Sequence, residues 1–203
     1  MKKINVNTIL KAENDVRKDK TYGPEEKLIS TFFKHFPTNT DETIVAAKVA
    51  IIDTTNNTNI SRYKSKISLC DVAKIIVSIK DFDKRVESGD VKLVEEIASI
   101  SKKKHDINLF SFASKYCCYH NVHIYKRDDY SIFDNIVKNN LPDYCDEKLK
   151  ITVNKIESWR RKFGYTSYNT LIGSVLDTNE ITIPNRRRAF DHFLWYNNRN
   201  TGK

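Results

Sequence analysis

Two short stretches hold the residue types best suited to covalent chemistry. Residues 109–115 read L-F-S-F-A-S-K, and residues 130–137 read Y-S-I-F-D-N-I-V. Lys115 closes a run of small and aromatic residues at the mouth of a helix. Asp134, 19 positions later, follows a short apolar run and opens the next helix. An exposed lysine with a pKa of about 10.4 is protonated and inert at neutral pH. In a cleft that strips its water or sets positive charge beside it, the amine becomes a nucleophile able to form a Schiff base. A nearby carboxylate would then stabilise positive charge developing on the substrate. Each residue also has a plainer role. Lys115 could be a solvated helix lysine, and Asp134 an N-cap accepting from the backbone N–H of Ile136 or Val137.

Helical spacing separates these readings only in part. Leu109, Phe112, Ala113, Tyr116, Cys117 and His120 share one face. Lys115 lies off it, beside Ser111 and Cys118, and so points to solvent or into a cleft.

The elements that must position the pair read as helices throughout. The first 22 residues are charged and weakly periodic, which predicts a loose arm before a helical domain over 23–203. Gly23-Pro24 opens a helix with Leu28, Ile29, Phe32, Phe33 and Phe36 on one face, and Pro37 ends it. A second helix is expected over about 40–52, then a polar loop over 54–66. Ser68, with Asp71 three residues on, caps a third helix carrying Val72, Ile75, Ile76 and Ile79. Gly89-Asp90 is a stop and a start, and the next helix carries Val91, Val94, Ile97 and Ala98. A hairpin at 105–108 leads into the helix that holds Lys115. Later helices are expected near 147–162, 166–176 and 185–198, with a short extended piece over 178–183. The fold class is all-α and compact, with two lobes around a cleft as one arrangement.

The chain has 203 residues and a net charge of +9. Such charge gathers anionic partners, nucleic acid among them. An abundance of lysine and asparagine, as a low-GC genome gives, raises the charge by itself. No apolar run is long enough to span a membrane, and the first residues lack the apolar stretch of a secretory signal. Cys70, Cys117, Cys118 and Cys145 form no C-x-x-C pair and no zinc-spaced cluster. They read as reduced core thiols of a cytoplasmic protein, nucleoid-associated if bacterial. No metal or cofactor is implied, and a monomer is the simplest expectation.

Taken in order, a helix, a tight hairpin, L-F-S-F-A-S-K, a second helix, a loop and an apolar run ending in Asp resemble the helix-hairpin-helix DNA glycosylases. The family hairpin L-P-G-V-G-x-K aligns without a gap on Leu109 to Lys115, and its V-P-V-D type run on Ser131 to Asp134. The phrases Y-S-I-F-D and D-H-F-L-W are similar to an 8-oxoguanine glycosylase-like (OGG-like) branch. The resemblance is best over about 90–140. It implies a DNA glycosylase with AP lyase activity on an oxidised or modified base such as 8-oxoguanine, in double-stranded DNA. Lys115 would be the nucleophile and Asp134 its electrostatic partner. Ser111 and Ala113 stand where the family has glycines that let a phosphate approach, so a left-handed turn there would be strained. With Ser114, they are the expected backbone-phosphate contacts.

Weaker candidates surround this pair. Lys102, Lys103 and Lys104 precede the hairpin and could neutralise phosphates. His120 could touch DNA, as could Arg186 at the start of the last helix. By the resemblance that helix lines the base pocket, where Phe190 or Trp195 would stack on an extruded base. Two further readings stay open: a helical module that binds DNA without catalysis, and a helical protein–protein adaptor.

Overall fold

The computed structural model describes residues 2–63, 66–99 and 107–198, and all regular structure among them is helical. Eleven α-helices are described: α1 (Val6–Lys18), α2 (Tyr22–His35), α3 (Glu42–Asn56), α4 (Leu69–Ser78), α5 (Phe82–Ser88), α6 (Lys92–Ser99), α7 (Phe110–His123), α8 (Asn135–Asn140), α9 (Val153–Arg161), α10 (Tyr165–Thr178) and α11 (Arg186–Asn198). No helix of the described residues is long and apolar enough to cross a membrane.

Polar caps set most boundaries, as expected of a chain with only five glycines. Asn5 and Thr8 form a capping box on α1, and Ser68 and Asp71 form another on α4. Each box satisfies backbone N–H groups that the first helical turn leaves without partners. Asp41 accepts from Thr43 and Ile44 to start α3. Gly89 ends α5 at φ 76°, a left-handed position that glycine adopts without strain. The N-terminus of α11 is capped from a distance: the Asp128 carboxylate accepts from the backbone N–H of Arg187 and Arg188.

The core is one continuous cluster with α7 at its centre. From Phe112 to Asn121 every residue of α7 is buried. A helix enclosed on all sides must be apolar or internally satisfied around its whole circumference. The expected one-sided stripe on this helix is therefore too narrow.

Several expectations need correction. The first 22 residues are not a loose arm. Ile9, Ala12 and Val16 of α1 are buried, and α1 packs on α11. Its apolar positions are few because one stripe suffices to dock a short helix. The turn into α2 is tight: a Cβ on Gly23 would lie 2.6 Å from the Arg17 carbonyl oxygen. Leu28 is exposed rather than part of the buried face of α2. A separate α5 lies between Ile79 and Gly89, started by Asp81 at φ 55°. Residues 179–183 form no strand. Cys117, Cys118 and Cys145 are buried thiols, but Cys70 is exposed. His105 and Asp106 of the expected hairpin lie outside the described residues, as do Lys102, Lys103 and Lys104.

Candidate active site

Lys115 sits mid-way along α7, only 6% exposed, and its Nζ donates to Ser111 Oγ one turn earlier at 3.2 Å. Asp134 arrives on the irregular segment between α7 and α8. Side chains of α7 and α10 clamp that segment. Tyr165 Oη accepts from the Ser131 N–H and Tyr168 Oη donates to the Ile132 carbonyl, while Ser114 Oγ accepts from the Phe133 N–H at 3.0 Å. Asp134 then caps α8, with Oδ1 accepting from Val137 N–H at 2.8 Å. Capping and facing a cavity are compatible, since a carboxylate has two oxygens.

Both side chains line one cavity of about 420 Å3, with Tyr22 from α2 and Arg188, Asp191 and Trp195 from α11. The end of α3, Thr54 to Asn57, forms its rim. The Tyr22 and Trp195 rings lie against each other, centroids 4.8 Å apart.

Arg188 organises the floor. It is 5% exposed. Its guanidinium donates to Asp191 Oδ2, to Glu26 Oε2 at 2.6 Å and to Tyr22 Oη. It also lies 5.0 Å from the Tyr119 ring centroid. Asp191 is 8% exposed, and its second oxygen, Oδ1, has no hydrogen-bond partner.

Burial sets the protonation states. Loss of water lowers the Lys115 pKa, and Arg188 adds to this; Asp134 and Asp191 oppose it. Burial pushes Asp191 up to about 7; Arg188 pulls it down, while Asp134 and Glu26 push it up. The cavity thus holds an amine displaced toward neutrality beside a carboxyl group that can carry a proton near pH 7. An amine that gives up protons easily and a group poised to take one are what nucleophilic amine chemistry requires.

Of the remaining candidates among the described residues, only Trp195 joins Lys115 and Asp134 at this cavity. Ser111 is partly exposed in the first turn of α7 and holds the Lys115 amine. Three expected DNA contacts are internal. The Ala113 N–H already donates to Leu109 O at 2.8 Å, so no phosphate can use it. Ser114 is fully buried and works as a clamp on the Asp134 segment. His120 is fully buried, its Nε2 3.1 Å from Lys48 Nζ. Neither Ser111 nor Ala113 has positive φ, because α7 begins at Phe110; no glycine is needed there. Arg186 is partly exposed and paired with Asp177 at 2.5 Å. Phe190 belongs to the core with Tyr144 and Phe193, away from the cavity. Arg188 and Asp191 were not among the sequence candidates. Arg186 and the D-H-F-L-W phrase marked the neighbourhood, but spacing alone could not choose the inward members.

Residues 5–129 match the family described as HI_0787_N, N-terminal domain. The chain belongs to this family. Over 82 residues it is 38% identical to an uncharacterised protein of Haemophilus influenzae (strain ATCC 51907 / DSM 11121 / KW20 / Rd), a stretch equal to 40% of this chain. That stretch spans 39% of the relative's own length. No solved structure matches the chain. The family match contains Lys115 and Tyr22 and ends before Asp134, Arg188 and Asp191.

Proposed function

We propose that this protein is a DNA glycosylase of the helix-hairpin-helix, OGG-like kind with AP lyase activity. Its substrate would be an oxidised or modified base in duplex DNA, with 8-oxoguanine the first to test. The observation that carries the reading is the Lys115 amine, buried and lowered in pKa, sharing one cavity with Asp134 and an aromatic pair.

The chemistry follows from those groups. An extruded nucleotide would bring its base against the Tyr22 and Trp195 rings and its C1′ toward Lys115. The neutral amine attacks C1′, and the glycosidic bond breaks with its electron pair leaving on the base, which takes up a proton. The attached nitrogen loses a proton to a carboxylate as the sugar ring opens, giving the Schiff base. Loss of a C2′ proton then breaks the C3′–O3′ bond and expels the 3′ phosphate, and water releases Lys115. Asp134 offsets positive charge at the sugar, and Asp191 is the group that accepts and returns protons near neutral pH.

Borohydride trapping on duplexes containing 8-oxoguanine or an abasic site tests this. Wild-type protein should give a covalent adduct and Lys115→Gln none, with its fold intact by circular dichroism. An adduct retained by Lys115→Gln would exclude this lysine. No adduct from wild type on any substrate, with DNA still bound, would favour a module without catalysis.

A further inference from the structure

The cavity around Lys115 has more acidic than basic groups in its lining. Its walls carry four carboxylates, Asp19, Glu25, Asp134 and Asp191, against two cations, Lys115 and Arg188. A second cavity of about 470 Å3 lies between α1, α2 and the ends of α7 and α11, on the other side of the Tyr22 and Arg188 side chains. Its charge balance is reversed. Arg17, Lys27, Lys34 and Lys126 line it together with Arg188, against Glu13 and Glu26. Both of those carboxylates are already engaged, Glu13 by Arg17 at 2.8 Å and Glu26 by Arg188 at 2.6 Å. Lys27 and Lys34 have no carboxylate partner among the described residues.

His192 supplies a polar group that the fold leaves unused. It is 5% exposed, lines this cavity, and its Nδ1 has no hydrogen-bond partner. Its other nitrogen, Nε2, lies 3.3 Å from Tyr22 Oη. Tyr22 Oη already accepts from Arg188, and burial holds the Tyr22 pKa well above its ordinary value, so the hydroxyl keeps its proton and directs it to Nε2. Burial also keeps His192 neutral, with its pKa well below the ordinary histidine value. A neutral ring that accepts at Nε2 carries its proton on Nδ1. The result is a buried N–H donor without an acceptor, on a residue that lines a cavity with three lysines. A buried unsatisfied donor is costly, and an anion's oxygen would satisfy it.

We propose that this second cavity is a phosphate-binding site, in which His192 Nδ1–H donates to a phosphate oxygen and Lys27, Lys34 and Lys126 neutralise its charge. The phosphate belongs to a nucleic-acid backbone or to a free nucleotide; the chemistry of recognition is the same. Arg188 and Tyr22 border both cavities, so an occupied phosphate site is in direct contact with the floor of the Lys115 cavity. The assignment stands apart from the glycosylase reading, since none of its donors takes part in that chemistry.

The test is a titration of 15N-labelled protein with inorganic phosphate at pH 7.5, following the imidazole nitrogens, with sodium chloride at matched ionic strength as control. Phosphate should shift the His192 signals saturably where chloride does not. The double variant Lys27→Glu, Lys34→Glu should bind phosphate roughly ten-fold or more weakly, the loss expected for charge-assisted contacts. Lys115→Gln should bind it as wild type does, whether or not that lysine is catalytic. Adding duplex DNA or ADP identifies the source, by which of them reproduces the His192 shift and displaces phosphate. Absence of a saturable shift, or a shift unchanged in the double lysine variant, would overturn the proposal.

Discussion

Replacing Arg188 with methionine should expose how the site is held together. Methionine fills similar volume, but the variant leaves Glu26 and Asp191 without the guanidinium and Tyr22 Oη without its donor. Breaking a buried ion pair from one side typically costs about 3–5 kcal/mol. Glu26, with its side chain 23% exposed, can recover some hydration, whereas Asp191 cannot. Asp191 can instead take a proton, since its pKa is already about 7 with Arg188 pulling it down. Without Arg188 that pKa rises further. Above pH 7 the folded variant then holds a proton that the folded wild type and both unfolded chains have released. Its stability therefore falls more steeply with pH, by up to about 1.4 kcal/mol per unit. Urea unfolding at pH 6 and pH 8 should show a loss near 3 kcal/mol at pH 8 and a clearly smaller one at pH 6. In thermal melts the pH 8 loss corresponds to a Tm lower by roughly 6–12 °C for a chain of this size. Adding Asp191→Asn to the variant should recover most of it. A loss below about 1 kcal/mol at pH 8, or one equal at both pH values, would refute the argument that Arg188 compensates a buried carboxylate.

Other perturbations separate capping from chemistry. Asp134→Asn should keep the α8 cap and stability within a few tenths of a kcal/mol, yet lose trapping activity; Asp134→Ala should lose both, at about 1 kcal/mol of stability. Equal trapping by wild type and Asp134→Asn would leave the carboxylate only its capping role. Ser114→Ala strands the buried Phe133 N–H and should cost about 1–3 kcal/mol by urea unfolding. Burial lowers His123 to about 4 from an ordinary value near 6.5. Its unfolded form thus binds protons first, and stability falls as pH drops from 6.5 toward 4. His123→Gln should flatten that fall by up to roughly 3 kcal/mol in urea melts.

That Lys115 and Asp134 share a cavity followed from the resemblance that paired their two stretches, and the cap that Asp134 places on α8 was legible because a capping residue leaves a local mark. Helix positions were legible for the same reason: Ser68, Asp71, Gly89 and Asp90 act within one turn. What escaped depends on distance in the chain. Nothing local says that α7 is enclosed on all sides, so Ala113, Ser114 and His120 read as DNA contacts. Nothing near Arg188 says that Glu26 awaits it, and nothing near Ser114 says that Phe133 will rest on its hydroxyl. The weak periodicity of α1 hid a docked helix, because its partner α11 lies at the other end of the chain.

That pairing of α1 with α11 bears on how the molecule comes into being. α11 also reaches back to α2, where the guanidinium of Arg188 meets the phenol of Tyr22 across 166 positions. A chain emerging from the ribosome shows Lys115 long before α11 exists to desolvate it. Until then the amine stands in water as an ordinary protonated lysine. Long-range closure of this kind is slow relative to local helix formation. Burial of Lys115 in its cavity therefore waits on α11, and a chain that stops before α11 leaves that lysine without Arg188, Asp191 and Trp195 around it.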